Sequence, residues 1–286
     1  MSFSTATLST TADLASPAVS GAYQDKSETN ANRVIFGANS IDKTEQTNIK
    51  FKAAYDITPQ LKAAYTLGLW SMDGKTDIET YIKDAAGNPV YNGRVNFNGK
   101  QYDVSGQNPA EAESLHIMQA LDLKSDTKGF FDWQLTVSDY NYQVDRNSAA
   151  NPSSNGTVTA GNPYLTRTGR VTDLSGTGWF DARATLRPHQ HTIDIGYHVD
   201  QYELKSETNN TADWSLGNKG TLNASAQGET RTHALYAQDK WQINPQWALT
   251  LGGRAEYWQA MDGQNQTTIS GVLKTADYKD VSETKF

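Results

Sequence analysis

The chain has 286 residues, no cysteine and a formal net charge of −7. The acidic balance argues against a nucleic-acid-binding protein, which would present a basic face to phosphates, and the lack of cysteine excludes disulfide frameworks and thiol nucleophiles. Hydrophobic residues make up only 37% of the chain, although aromatic residues reach 10%, and no apolar run approaches the roughly 18 residues of a membrane helix. This composition is typical of a transmembrane β-barrel, because only every second strand residue meets lipid.

The N-terminal region shows no leader. Residues Met1–Leu14 contain neither a basic segment nor an apolar core, so no signal peptide is visible. We predict that residues 1–45 form a polar loop or partial strand leading into the barrel, and that residues 46–286 form one β-barrel segment.

Alternation of apolar and polar residues predicts a first β-hairpin over residues 46–70. The odd positions from Ile49 to Leu69 are apolar, and the turn around Pro59 separates two strands of about nine residues. We expect the odd positions to face lipid. The lysines on the even positions would then face the lumen of a barrel: Lys50, Lys52 and Lys62.

The same unit recurs three times along the chain. The predicted hairpins cover residues 115–140, 178–203 and 231–259, with turns near Asp126, Pro188 and Pro245. Long polar connections would join them, over residues 71–114, 141–177, 203–230 and 259–277. Short turns at one end and long loops at the other indicate an outer-membrane barrel, whereas a soluble sandwich has shorter strands and short connections at both ends. The predicted fold is all-β: an antiparallel transmembrane β-barrel segment of about 8–11 strands, with short periplasmic turns and long extracellular loops, that forms an incomplete barrel.

Two polar residues occupy positions that the alternation assigns to the apolar face of their strands. Gln119 and Asp239 would both face lipid if the alternation held throughout. Asp239 lies either near the headgroups or on a β-bulge between Tyr236 and Trp241, and we favour the bulge.

Residues 233–257 resemble the barrel of TonB-dependent outer-membrane receptors. The family pattern has Tyr-x-Gln-Asp, an aromatic residue, a short turn and then Thr-Leu-x-Leu-Gly-x-Arg-Tyr. The matching positions here are Tyr236, Gln238, Asp239, Trp241, Leu249, Thr250, Leu251, Gly252 and Arg254. Ala255 replaces the usual aromatic residue after the arginine. Residues 51–70 also look like a barrel hairpin of that family, and the resemblance covers about residues 46–286.

The resemblance implies a 22-stranded barrel occluded by an N-terminal plug, which imports iron chelates, cobalamin or other scarce ligands. It also implies a TonB box that contacts an inner-membrane complex. No plug, TonB box or signal peptide is found here, and 286 residues suffice for roughly ten strands. We therefore expect an internal fragment of such a receptor, located in the outer membrane of a Gram-negative bacterium.

The expected function is transport rather than catalysis. No catalytic motif is found, His189 and His191 lack a third metal ligand nearby, and neither a metal nor a cofactor is predicted. The expected partners are outer-membrane lipid and a small-molecule ligand such as a ferric siderophore, with TonB contacted only through the missing N-terminal part and no nucleic acid bound. Aromatic and arginine side chains in the outer loops are the candidate ligand contacts: Tyr81, Tyr91, Arg94, Tyr164, Arg167, Arg170 and Trp214.

Two alternatives remain open from the sequence. One is a soluble or surface-exposed β-rich binding module, such as an adhesin or a carbohydrate-binding domain. The other is a small self-contained outer-membrane porin. Phe286 would fit the terminal phenylalanine of such a barrel, but the alternate positions before it are polar.

Overall fold

A computed structural model describes residues 2–5, 7–8, 16–104, 108–150, 169–175 and 179–286. Within these ranges the regular structure is β-sheet, apart from one short 3-10 turn at Trp214–Leu216. None of the helical structure in the same ranges is long and apolar enough to cross a membrane.

Sixteen strands follow one another along the described chain. They are β1 (Ser2–Thr5), β2 (Thr7–Leu8), β3 (Tyr23–Lys26), β4 (Asn32–Thr58), β5 (Leu61–Thr80), β6 (Gly93–Phe97), β7 (Lys100–Val104), β8 (Ala110–Ser125), β9 (Phe131–Ala150), β10 (Gly169–Ser175), β11 (Trp179–Leu186), β12 (His191–Thr211), β13 (Leu222–Asn244), β14 (Trp247–Ile269), β15 (Val272–Asp277) and β16 (Val281–Lys285).

Thirteen of these strands form one antiparallel sheet, which we call the wall. Strands β10 and β11 share one position between β9 and β12, and β15 and β16 share the position beside β14. Strands β1 and β3 pair only with the first part of β4. Nine full positions therefore run from β4 to β15 with β16, in agreement with the predicted incomplete barrel of 8–11 strands.

The four predicted hairpins are confirmed. Their strand pairs are β4–β5, β8–β9, β11–β12 and β13–β14. Because these pairs are alternate connections of an antiparallel sheet, their tight turns all lie at one end of the wall, which we call the tight-turn end. The other end is the loop end.

The predicted strand length of about nine residues is wrong. Strand β8 has 16 residues, β5 has 20 and β4 has 27. Many of the residues assigned to long connections therefore continue the strands, and the connection between β5 and β8 contains a further hairpin, β6–β7. Both faces of the strands are polar there, so the alternation that marks a strand in sequence disappears although the pairing continues.

The last predicted connection, residues 259–277, is also wrong. Strands β14 and β15 are joined at the loop end by a two-residue turn, Ser270–Gly271. Both residues have positive φ, 50° and 77°, as a type I′ hairpin turn requires. Glycine is suited to the second position because it has no Cβ.

The register sorts the wall into two faces. One row of directly paired residues crosses eight positions on the apolar face: Tyr55, Ala63, Leu123, Leu135, Ala182, Tyr197, Leu235 and Ala255. The neighbouring row on the polar face is Asp56, Lys62, Lys124, Gln134, Arg183, Gly196, Tyr236 and Arg254. The odd positions of the first hairpin thus share a face with the apolar row, and its lysines share a face with Arg183 and Arg254.

The bulge predicted around Asp239 is wrong. The pairing of β13 with both neighbours is continuous between Tyr236 and Trp241, so Asp239 stays on the apolar face. It lies close to the tight-turn end, where its Oδ2 is 2.7 Å from His191 Nδ1. Gln119, the other exception, accepts a hydrogen bond of 2.7 Å from the Tyr65 hydroxyl. A polar partner on the adjacent strand therefore binds Gln119 and one carboxylate oxygen of Asp239 without a change of register, whereas Asp239 Oδ1 has no hydrogen-bond partner among the described residues.

The two edges of the wall do not pair with each other in the part of the chain that the structure describes. Within that part, the outer edge of β4 is paired only by β1, opposite residues 35–40, and β15 and β16 pair on one side only. The first and ninth positions of an antiparallel sheet run in the same direction, so these edges could meet only as a parallel pair. The wall is an open sheet, consistent with part of a larger antiparallel barrel.

A small hydrophobic core lies at the loop end. The start of β4 packs there against the β6–β7 hairpin and the chain that precedes it. Its buried residues are Val34, Phe36, Ile82, Val90, Val95, Tyr102 and Val104. This core anchors the longest described connection onto the wall.

Candidate ligand-binding site

The polar face carries a hydrogen-bonded network between adjacent strands. Arg183 Nη2 donates to Gln134 Oε1 at 2.8 Å, and Gln134 Nε2 donates to Asp122 Oδ2 at 2.7 Å. The Thr136 hydroxyl donates to the same carboxylate oxygen at 2.7 Å. Because these bonds link β8, β9 and β11, they hold the side chains of this face in fixed positions.

A cluster of rings lies on the same face, roughly 30 Å along the strands from the tight turns at ~3.3 Å per residue. We call it the His116 cluster; it consists of Trp70, His116, Tyr140, Tyr142 and Asp145. The His116 ring stacks on Tyr142 with centroids 4.0 Å apart and an interplanar angle of 8°. The Trp70 ring lies 4.7 Å from His116 on a tilted plane. Stacked rings of this kind form a flat surface that a planar ligand group could extend.

Hydrogen bonds fix the orientation of the His116 ring. Its Nδ1 lies 2.8 Å from the Tyr140 hydroxyl, and its Nε2 lies 3.0 Å from Asp145 Oδ2. The side chain is only 7% exposed. The imidazole therefore has a hydroxyl partner at one nitrogen and a carboxylate partner at the other.

A β-bulge assembles this cluster. Ile117 pairs with Asn141 and His116 with Tyr142, but Leu115 pairs with Val144, so Gln143 is an extra residue in β9. Without the bulge, Asp145 would point to the apolar face, because a one-residue shift reverses the facing of every later side chain. The bulge therefore places the carboxylate beside His116.

The residues of this cluster were not predicted as ligand contacts. Tyr142 and Asp145 fell within a segment that was assigned to a loop, so their facing could not be assigned from parity. The available signal was the run of rings on even positions, Trp70, His116 and Tyr140, beside apolar odd positions.

The structure does not bring the predicted contact residues together. Tyr81, Tyr91 and Arg94 belong to the connection between β5 and β8, where Tyr81 stacks on Tyr23 with centroids 6.2 Å apart and Arg94 Nε lies 3.1 Å from Asp103 Oδ1. Burial, with a smaller contribution from Glu79, raises the pKa of the Tyr81 hydroxyl. Tyr91 is half-buried. Tyr81 thus packs on β3 and Arg94 pairs within its own loop, and none of the three belongs to the His116 cluster.

The remaining predicted contacts are elsewhere. Arg170 is exposed on β10, and Tyr164 and Arg167 lie outside the described residues. Trp214 is 5% exposed and lines a cleft of about 450 Å³ together with Glu113 and Arg146. That cleft lies on the continuation of the apolar face. Glu113 and Ile117 are four residues apart on β8, whose pairing with β5 has no bulge, so their side chains face the same side of the sheet.

The motif residues of β13 and β14 mostly belong to the polar face. Tyr236 pairs with Arg254 and Gln238 pairs with Gly252. The Tyr236 ring lies flat over Gly196 of β12, where a Cβ would come within 2.0 Å of its Cζ. Glycine at position 196 is therefore required for this ring position.

The comparison with known families agrees with this geometry. The family model described as "TonB dependent receptor-like, beta-barrel" matches residues 54–284. Neither a curated protein nor a solved structure matches the chain. The matched family consists of outer-membrane transporters rather than enzymes, which favours the receptor over a soluble binding module. The all-β wall, its two faces and the family match over most of its length place this chain in the TonB-dependent receptor family, as part of the β-barrel domain.

Proposed function

We propose that the chain is part of the barrel of a receptor that imports a scarce ligand, such as a ferric siderophore, across the outer membrane of a Gram-negative bacterium. Residues 46–286 supply the barrel segment in this proposal, and residues 1–45 lead into it. Contact with TonB would come from an N-terminal part of the complete receptor. The observation that carries the ligand-binding part of the proposal is the His116 cluster on the polar face.

The chemistry of the cluster suits a planar or anionic chelate. The rings of Trp70 and Tyr142 offer stacking surfaces, and Lys50 lies on the same face in the row of Gly68, Met118 and Tyr140. The Met118 side chain lies over Gly68, with its Cε 3.3 Å from the place of a Cβ at Gly68, and lies between Lys50 and Tyr140. An anionic ligand could therefore stack against the rings while its charge faces the ammonium group. Among the loop candidates, Tyr81, Tyr91, Arg94, Tyr164, Arg167 and Arg170 would contribute further contacts at the loop end, whereas Trp214 lines a cleft on the other face.

The test is ligand binding by the complete receptor in detergent. Binding of ferric hydroxamate, ferric catecholate and cobalamin would be measured by quenching of tryptophan fluorescence. We expect one ferric chelate to bind and W70A to weaken its binding at least about fivefold, since stacking on one ring contributes about 1–3 kcal/mol. The matched control is W258A, because Trp258 lies on the same face but on β14.

Two results would contradict the proposal. Binding of cobalamin with no response to any ferric chelate would exclude the siderophore as ligand. Equal binding by wild type and W70A would show that the His116 cluster is not part of the ligand site, which would then have to be formed by loop residues.

A further inference from the structure

A cavity of about 180 Å³, smaller than the Trp214 cleft, opens on the polar face at the tight-turn end. The β8–β9 and β11–β12 hairpins both line it, and we call it the mouth pocket. Its cationic side chains are Lys124, Lys128, Arg183 and Arg187. The carboxylates that line it are Asp126 and Asp132.

Both carboxylates already have cationic partners. Arg187 Nη1 lies 2.5 Å from Asp132 Oδ2, and Lys128 Nζ lies 2.9 Å from Asp126 Oδ1. Asp132, which is 4% exposed, also accepts hydrogen bonds from Ser125 Oγ at 3.0 Å and from the Thr127 backbone N–H at 2.7 Å. These two ion pairs leave Lys124 and Arg183 as the remaining charges of the pocket.

Neither remaining cation meets a carboxylate among the described residues. Arg183 donates to the neutral amide of Gln134, and no hydrogen bond or ion pair in the described part of the chain involves the Lys124 ammonium group. Lys62 lies directly opposite Lys124 on β5. Lys62 does not line the pocket, and its Nζ lies 3.8 Å from Asp56 Oδ1, so Asp56 is the partner of Lys62 and not of Lys124.

The acidic residues of the next rows do not neutralise the pocket. Asp122 accepts from Gln134 and Thr136. Asp194 accepts from Thr185, and Asp181 lies 3.5 Å from His198. None of the three lines the cavity. The mouth pocket therefore has an excess of positive charge inside a polar rim.

We infer that the mouth pocket binds a small oxyanion, the phosphate or carboxylate group of a solute or of another segment of the protein. The planar guanidinium of Arg183 can bind two oxygens of such a group at once, and the ammonium of Lys124 supplies a second charge. The volume fits a single oxyanion group and is below the usual size of drug-like ligand sites. This site is separate from the His116 cluster and does not depend on the imported ligand.

The experiment measures phosphate binding to the complete receptor in detergent, by calorimetry and by thermal unfolding, with sodium chloride at matched ionic strength as the reference. We expect saturable binding of inorganic phosphate and a rise in Tm. R183Q and K124Q should each weaken phosphate binding at least tenfold, whereas R183K should retain part of it. K52Q is the matched control, because Lys52 has the same face and charge but does not line the pocket.

The variants also distinguish the two sources of the oxyanion. If the wild-type receptor does not bind phosphate, and R183Q and K124Q lower the Tm while K52Q does not, the oxyanion in the pocket is a carboxylate of the protein itself. Phosphate binding that K52Q weakens as much as R183Q, or the absence of any difference among the variants in both measurements, would overturn the inference.

Discussion

The two ends of the wall differ in how residue type relates to strand structure. Toward the tight-turn end one face is apolar and the other polar, so residue types alternate along each strand. Toward the loop end the same strands continue with charge on both faces; Glu45, Asp73 and Glu113 are directly paired there on the continuation of the apolar face. Backbone pairing needs no apolar face, whereas alternation does. Alternation therefore marks the part of a strand that has one apolar face and not the full length of the strand.

The largest expected effect comes from a charge placed on the apolar face within the alternating part of a strand. L121R should destabilise the receptor in bilayers by about 2–4 kcal/mol, the cost of arginine near the bilayer midplane. A120R, one residue away on the polar face, should change stability by less than about 1 kcal/mol. The measurement is urea-induced unfolding from lipid vesicles, followed by tryptophan fluorescence. Equal losses in the two variants would mean that the two faces are not distinct environments.

Removal of the β9 bulge should disturb the loop end without affecting the tight-turn end. Deletion of Gln143 turns Asp145 toward the apolar face and breaks its contact with His116, which should cost about 1.5–3 kcal/mol for the lost charged hydrogen bond alone. D145N keeps the register and should cost less. The NMR signals of the His116 ring would report the change. An unshifted His116 signal in the deletion variant would show that the bulge does not position Asp145.

Gly196 provides a test on the polar face nearer the tight turns. G196A puts a methyl group where the Tyr236 ring lies, and overpacking of this kind costs about 1–3 kcal/mol. The control is G253A, since nothing lies within 4 Å of a Cβ at that position. The double variant G196A/Y236A should regain stability relative to G196A when unfolding is followed by urea titration. If G196A is as stable as G253A, the methyl group does not clash with the Tyr236 ring.

The smallest expected effect is at the two-residue turn of the loop end. Gly271 has a φ of 77°, so G271A should cost about 1 kcal/mol through backbone strain. S270N should stabilise slightly, because Asn-Gly is the preferred pair in a type I′ turn. Hydrogen exchange of the β14–β15 amides would detect both changes. A stabilising effect of G271A or a destabilising effect of S270N would show that this segment is not a tight turn.

The four hairpins and the two faces could be predicted because three proline turns, one turn around Asp126 and the alternation of apolar and polar residues leave local signals. Residues 259–277 were mistaken for a loop because Ser270–Gly271 is a short signal within a polar stretch. The His116 cluster could not be predicted as a site, since Asp145 reaches His116 only through a bulge and through the register of β8 with β9. The division at residue 45 remains a prediction, and strand β4 already begins at Asn32. Register and bulges depend on partners distant in sequence, which local periodicity does not contain.

Cysteine labelling tests most directly whether the apolar face of this wall meets lipid and the polar face meets water. The chain has no native cysteine, so each introduced thiol reports one position. In receptors reconstituted into bilayers, Cys substituted for Lys52 or Lys62 should react with a water-soluble thiol reagent. Cys substituted for Phe51 or Leu67 should be protected, because Phe51 and Leu67 pair directly on the apolar face. Labelling at positions 51 and 67 with protection at 52 and 62 would contradict the assignment of the two faces.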